Sequence, residues 1–119
     1  MLNLDQIEAL QKRVDALKGY LQIEEKRMEV QEDEKQTHDP EFWNDSKNAE
    51  QVMKRIRSKK AWVTKFDQCN TLVEDLCVLY EFMKAGEESP EEVDSAYEDV
   101  LNTVEDLELA KILVEKYNY

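Results

Sequence analysis

The stretch that decides the fold is residues 45–85, DSKNAEQVMKRIRSKKAWVTKFDQCNTLVEDLCVLYEFMKA, which contains neither glycine nor proline. Its apolar side chains recur every three or four residues, so on a helix they form two adjacent stripes. One stripe comprises Val52, Ile56, Val63, Phe66, Val73 and Tyr80, and the other comprises Trp62, Cys69, Leu72, Leu76, Leu79 and Met83. Two stripes require two neighbours, which predicts an all-α fold, an antiparallel three-helix bundle with this helix in the middle.

A second helix is predicted before this stretch, over about residues 4–37. It has one apolar stripe, typical of a coiled-coil-like helix, at Ile7, Leu10, Val14, Leu17, Leu21 and Met28. Pro40 disfavours helical backbone in the residue before it, so the helix should end near Thr37. Between the two helices, Phe42 and Trp43 are unusually large for an exposed turn, and we expect them to plug one end of the bundle.

A third helix is predicted over residues 90–116, because Ser89-Pro90-Glu91-Glu92 is a strong helix start. Serine can cap the amides, proline suits the first helical position, and Glu92 can complete a capping box. Gly86 stands where a left-handed cap should end the central helix. The three helices predict a single helical domain over residues 1–119.

The end of the third helix is predicted to be covered, because its apolar residues point to nearly every side. These residues are Leu109, Ile112, Leu113 and Val114. Either the tail folds back over them or another domain packs against them.

The formal net charge of −12 makes the surface repel nucleic acid and anionic membranes as a whole, so any contact with RNA must be local. Residues 45–86 alone have more basic than acidic side chains, and the excess is concentrated at Lys54, Arg55, Arg57, Lys59 and Lys60. Two interpretations remain open: these cations balance the acidic neighbouring helices, or they form a phosphate-contacting patch. Helical geometry allows Lys54 and Arg57, together with Lys60 or Lys47, to share one outward face, and it places Arg55 and Lys59 on another.

The sequence lacks the patterns that support catalysis. His38 beside Asp39 is interpreted as a solvated turn residue, and no glycine-rich phosphate loop or nucleophile elbow occurs. Cys69 and Cys77, about 12 Å apart along one helix, are expected to be free thiols without metal-ligand spacing. We therefore predict no enzyme activity, no catalytic, cofactor or metal site and no small-molecule substrate. With no signal region and no apolar membrane span, a cytoplasmic location is expected.

Three motifs in order carry a family resemblance. They are Leu17-Lys18-Gly19-Tyr20-Leu21, then Asp39-Pro40-Glu41-Phe42-Trp43-Asn44-Asp45 after an acidic helix, and finally Val104-Glu105-Asp106-Leu107-Glu108-Leu109. Together they resemble the N-terminal domain of the bacterial peptide chain release factor 2 family, among the class 1 release factors. The similarity covers most of the chain.

The resemblance implies a role in translation termination. In full-length family members, a Ser-Pro-Phe tripeptide recognises stop codons and a Gly-Gly-Gln tripeptide supports peptidyl-tRNA hydrolysis; neither tripeptide occurs here. The family's N-terminal domain is a helical arm that projects toward the GTPase-associated centre of the large ribosomal subunit. The five cations then become candidate ribosome contacts, with local contact to ribosomal RNA. The alternative is a spectrin-like three-helix scaffold or protein-interaction repeat.

Overall fold

The computed structural model describes residues 1–117, which form four α-helices joined by short connections. The helices are α1 (Leu4–Tyr20), α2 (Ile23–Gln36), α3 (Ser46–Lys84) and α4 (Pro90–Tyr117), and a 3-10 helix (Pro40–Asn44) joins α2 to α3. No strand occurs among these described residues. The predicted all-α bundle is confirmed, and the predicted bounds of the second and third helices agree with α3 and α4 to within one residue.

α3 is the longest element of the molecule, which measures 61 × 31 × 18 Å. Its 39 residues extend about 58 Å at a rise of about 1.5 Å per residue. α1 and α4 pack against its C-terminal half, and α2 packs against its N-terminal half. We call α1, α4 and residues 62–84 the core bundle, and we call α2, the 3-10 helix and residues 46–61 the arm.

The two parts have separate apolar clusters. In the core bundle the buried side chains are Leu2, Ile7, Leu10, Val14, Leu17, Leu21, Ile23, Phe66, Cys69, Val73, Leu76, Val93, Val100, Val104 and Leu107. Ile23, the first residue of α2, reaches this cluster from the base of the arm. The arm's own cluster contains only Val30, Val52 and Ile56, with Phe42 and Met53 partly buried against them.

The connection between α3 and α4 follows the predicted capping signals. Gly86 has a φ of 79° and donates its N–H to the carbonyl of Met83, as a left-handed cap should. Ser89 Oγ accepts from the Glu92 N–H at 3.2 Å, which confirms the N-cap. The reciprocal bond of the capping box differs from the prediction, because the Ser89 N–H donates to Glu88 Oε1 instead of the Glu92 side chain.

The single helix predicted over residues 4–37 is wrong, because the chain breaks between α1 and α2. Gln22 adopts a left-handed backbone conformation, with a φ of 52°. Leu21 and Ile23 are both buried, and two residues two apart cannot lie on the same side of one continuous helix. The break rotates the buried face, so Met28, predicted on the stripe, is 68% exposed.

The prediction that two aromatic residues plug the end of the bundle is wrong for Trp43. Phe42 is half-buried against the arm's apolar cluster, but Trp43 is 53% exposed. The Trp43 Nε1–H donates to the carbonyl of Thr37 at 3.2 Å, and its ring meets Phe42 edge-on with centroids 4.9 Å apart. Trp43 therefore lies over the outside of the turn, because its polar N–H finds a partner there.

The end of α4 is exposed over the described residues. α4 continues to Tyr117 without folding back, and the side chains of Leu109, Ile112, Leu113 and Val114 are 38–54% exposed. Of the two predicted ways to cover these residues, a tail that folds back over them is therefore wrong for the chain up to Tyr117.

Candidate functional site

The five candidate cations occupy two turns of α3 in the arm, and the structure divides them into two groups. Three of them, Arg55, Lys59 and Lys60, form ion pairs with acidic residues of α2. The other two, Lys54 and Arg57, are exposed and make no ion pair with α2 among residues 1–117. The basic residues between positions 54 and 60 are therefore close together in the sequence but lie on two different surfaces of the structure.

The centre of the first group is Asp33, a charged side chain that is only 10% exposed. Arg55 binds it with two parallel hydrogen bonds, Nε to Oδ2 and Nη2 to Oδ1, both 3.0 Å long. The fork of a guanidinium matches a carboxylate in this way and satisfies both oxygens. Lys59 Nζ lies 2.7 Å from Glu29 Oε2 and 3.9 Å from Asp33 Oδ2, which adds a second cation.

These contacts change the acidity of Asp33. The hydrogen bonds from Arg55 lower its pKa below the ordinary carboxyl value, against an opposing effect of burial, and the positive charges of Arg55 and Lys59 lower it further. Asp33 is thus held as a carboxylate inside the helix interface. Its role is to join α2 to α3.

Two further ion pairs extend this contact along the arm. Lys60 Nζ lies 2.6 Å from Glu34 Oε1, and at the base of the arm Arg27 Nη1 donates to Asp67 Oδ2 at 3.0 Å. We call Glu29, Asp33, Glu34, Arg55, Lys59 and Lys60 the clamp. The clamp crosses between helices, so it answers part of the open question from the sequence: these three cations balance the acidic residues of α2.

The second group lies on the side of α3 that faces away from the clamp. Lys54 Nζ is 3.2 Å from Glu50 Oε1, four residues earlier on the same helix, with both side chains about two-thirds exposed. Arg57 is exposed and has no ion pair within the described residues. Lys47 and Lys65 are also exposed, and helical geometry places all four cations within about 80° of one another.

We call Lys47, Lys54, Arg57 and Lys65 the outward row. It extends about 27 Å along α3 at 1.5 Å per residue. Glu50 is the only acidic residue between positions 46 and 66 of the helix. The row is therefore a local cationic surface on a strongly acidic domain, and its arginine and lysine side chains can approach phosphate oxygens.

The rest of the described chain presents little other chemistry. No group of His, Cys, Asp and Glu side chains in residues 1–117 is arranged to hold a metal ion. Cys69 is buried, Cys77 is half-buried, and burial raises the pKa of both free thiols, which makes them poor nucleophiles. His38 is exposed at the end of α2. Among the helices described, none has the length and apolarity needed to cross a membrane.

The model of a known protein family matches most of the chain. The model of the PCRF domain matches residues 26–119, which include most of the arm and all of α3 and α4. The chain belongs to the PCRF domain family. The match begins inside α2, so it contains both the clamp and the outward row.

The PCRF domain described here is similar to curated proteins named peptide chain release factor 2. That of Nocardia farcinica is 30% identical across 98% of this chain and 32% of its own length. That of Acidothermus cellulolyticus is 25% identical across 96% of this chain and 31% of its own length. That of Burkholderia pseudomallei is 36% identical across 70% of this chain and 22% of its own length. The chain thus spans less than a third of these relatives. It corresponds to the N-terminal domain of a class 1 release factor, a module of a translation termination factor, as the motifs predicted.

Proposed function

We propose that this PCRF domain is a non-catalytic module that helps to position a translation termination factor on the ribosome. In this proposal the outward row of α3 approaches the phosphate backbone of ribosomal RNA near the GTPase-associated centre of the large subunit. The five cations predicted from sequence then have two roles. Lys54 and Arg57 contact the ribosome, and Arg55, Lys59 and Lys60 hold the arm in shape.

One observation carries the proposal: four exposed cations lie on one face of α3, with Glu50 as the only acidic residue between positions 46 and 66, in a domain whose net charge is −12. Charges on the surface of a monomer need no such segregation, whereas a polyanionic partner requires it because the acidic remainder would repel that partner. The family match favours a termination-factor module over the spectrin-like scaffold. The residues that release peptide in the resembling family are not encoded in this chain, so no catalytic role is assigned to it.

The test is a salt titration of ribosome binding by the folded domain. The variant Lys54→Glu/Arg57→Glu reverses two charges of the outward row, and Lys12→Glu/Lys84→Glu reverses two exposed charges of the core bundle. The control is closely matched, because Lys84 pairs with Glu81 on its own helix as Lys54 pairs with Glu50. We expect the first variant to bind at least about tenfold more weakly at low salt and to reduce the salt slope by about 2, since each lost phosphate contact reduces it by about 1.

The control variant should bind within about twofold of wild type. Thermal melts of both variants separate a loss of contact from a loss of fold. Equal weakening by the two variants would assign the effect to net charge, and unchanged affinity of the outward variant would remove the outward row from the interface. Stop-codon-dependent peptide release by the isolated domain would contradict the non-catalytic role.

A further inference from the structure

The last turns of α4 carry an apolar surface that the core bundle does not use. Leu109, Ile112 and Leu113 are 45–54% exposed and, at positions i, i+3 and i+4, they lie on one face of the helix. We call these three residues the α4 strip. Ile112 also borders a groove of about 290 Å³ between α1 and α4, whose lining includes Leu17 and Tyr20.

The charge around the α4 strip indicates what kind of surface would cover it. Glu98, Glu105 and Asp106 lie on the same exposed side of α4, and none of them forms an ion pair within the described residues. Residues 87–119 contain eleven acidic and two basic side chains. Of the two basic residues, which both lie near the strip, Lys111 pairs with Glu115 and lies over the Tyr20 ring, and Lys116 is exposed. A partner that buries the strip must face these carboxylates, so like charge would exclude an acidic surface and a basic one would be attracted.

We propose that the α4 strip docks a basic amphipathic helix of a protein partner. Apolar residues of that helix would pack on Leu109, Ile112 and Leu113, and its lysine and arginine residues would face Glu98, Glu105 and Asp106. From Glu98 to Leu113 the surface is about 22 Å long at 1.5 Å per residue, enough for four turns of a docked helix. This surface is separate from the outward row and does not depend on phosphate binding there.

A second copy of the chain is a poorer occupant on the same grounds. Each copy has a net charge of −12, and a contact between two α4 strips would bring the acidic residues of both helices together.

The experiment titrates the ¹⁵N-labelled chain with an 18-residue helical peptide that has leucine at i, i+3, i+4 and i+7 and lysine at most other positions. The matched peptide has glutamate in place of every lysine. Two double variants of the protein are compared. Ile112→Gln/Leu113→Gln changes the strip, and Val78→Gln/Phe82→Gln changes two apolar residues of α3 that are 52% and 47% exposed beside Glu74 and Asp75.

We expect the lysine peptide to shift the amide resonances of residues 98–116, with at least tenfold weaker binding to the strip variant and less than twofold change for the control variant. The glutamate peptide should bind at least tenfold more weakly. Three results would overturn the proposal. These are an equal loss of lysine-peptide affinity in both protein variants, equal binding of the lysine and glutamate peptides, and amide shifts confined to the arm. The shift map of the wild-type chain decides the matter even where a variant folds poorly.

Two other occupants would also overturn the proposal. A dimer in sedimentation equilibrium that Ile112→Gln/Leu113→Gln abolishes would assign the strip to a second copy. In any longer chain that contains this domain, loss of peptide binding relative to residues 1–119 would assign the strip to a downstream segment.

Discussion

The core bundle and the arm share α3 but are stabilised by different interactions. Fifteen buried side chains make up the apolar cluster of the core bundle, contributed by all four helices and the N-terminal segment. The arm has three, and most of its remaining contact between helices is the clamp. The core bundle is therefore held by burial of apolar area, and the arm is held largely by ion pairs across a narrow apolar seam.

This difference predicts a difference in local stability. Apolar burial contributes about 25 cal/mol per Å² removed from water, whereas an exposed ion pair contributes only about 0–1 kcal/mol. Within the clamp, the side chains of Asp33 and Lys59 are shielded from solvent, at 10% and 20% exposed, and their contacts can contribute more than such a surface pair. The arm should thus open more easily than the core bundle, although one helix runs through both.

The largest effect is expected in the core bundle, from Leu76→Ala. Leu76 is almost fully buried in α3, and its truncation leaves a cavity that should lower the free energy of unfolding by about 2–5 kcal/mol. The measurement is urea unfolding followed by circular dichroism. Leu72→Ala, one turn away and partly exposed, is the matched control and should have a much smaller effect. Equal effects would mean that burial does not dominate here.

A smaller and local effect is expected from Asp33→Asn. The substitution removes the charge that pairs with Arg55 and Lys59, and a charge-assisted hydrogen bond contributes about 1.5–3 kcal/mol. Because Arg55 is half-exposed, water recovers part of this, and we expect a loss of about 1–2 kcal/mol. Hydrogen exchange of α2 amides should accelerate, with α1 and α4 amides unchanged. Uniform acceleration throughout would show that the clamp stabilises the whole domain.

The clamp should also make the arm sensitive to acid. The pKa of Asp33 is lowered in the folded state by its bonds to Arg55, and a carboxyl group of this kind stabilises the fold fully above its ordinary value of about 3.9. That contribution disappears as the pH falls through the lowered folded value. Thermal melts between pH 2 and 6, monitored by tryptophan fluorescence, should therefore depend more steeply on pH for wild type than for Asp33→Asn. Superimposable pH profiles would contradict this role for Asp33.

The smallest effect is expected from Trp43→Ala. A buried tryptophan would cost about 3–5 kcal/mol to remove, but Trp43 is exposed and should cost less than about 1 kcal/mol. Phe42→Ala, at the adjacent residue, removes a ring from the arm's apolar cluster and should cost more. Thermal melts of the two variants rank the two residues by their contribution to stability. A larger loss of stability for Trp43→Ala than for Phe42→Ala would mean that Trp43, and not Phe42, lies on the inside of this turn.

The sequence predicted the fold well where local chemistry decides it. The uninterrupted apolar stripes fixed the extent of α3, and Ser89 with Pro90 marked the start of α4. The break at Gln22 was missed, because glutamine has no special preference for a left-handed backbone. A signal was present in the sequence: the stripe fails at Glu24, and the apolar Ile23 lies off the stripe two residues after Leu21.

The candidate site was predicted in part. Helical spacing separated Lys54 and Arg57 from Arg55 and Lys59, because angular position on a helix follows from residue number alone. Lys60, which the spacing also allowed on the outward face, instead pairs with Glu34 of α2. The acidic half of the clamp was missed, since which carboxylate faces a given cation depends on how α2 is rotated against α3. That rotation follows from the break at Gln22. In the sequence, Asp33 is one acidic residue among many, and only the packing of α2 against α3 buries its charge.

The most direct test of the difference between arm and core bundle is native-state hydrogen exchange at increasing denaturant concentration. The arm and the core bundle are predicted to open separately. Amides of α2 should exchange through a partial opening, with a lower free energy and a weaker denaturant dependence than the buried amides of α1 and α4, because less surface is exposed. If amides of α2, α1 and α4 instead share one free energy and one denaturant slope, the domain opens as a unit, and the separation of arm from core bundle is contradicted.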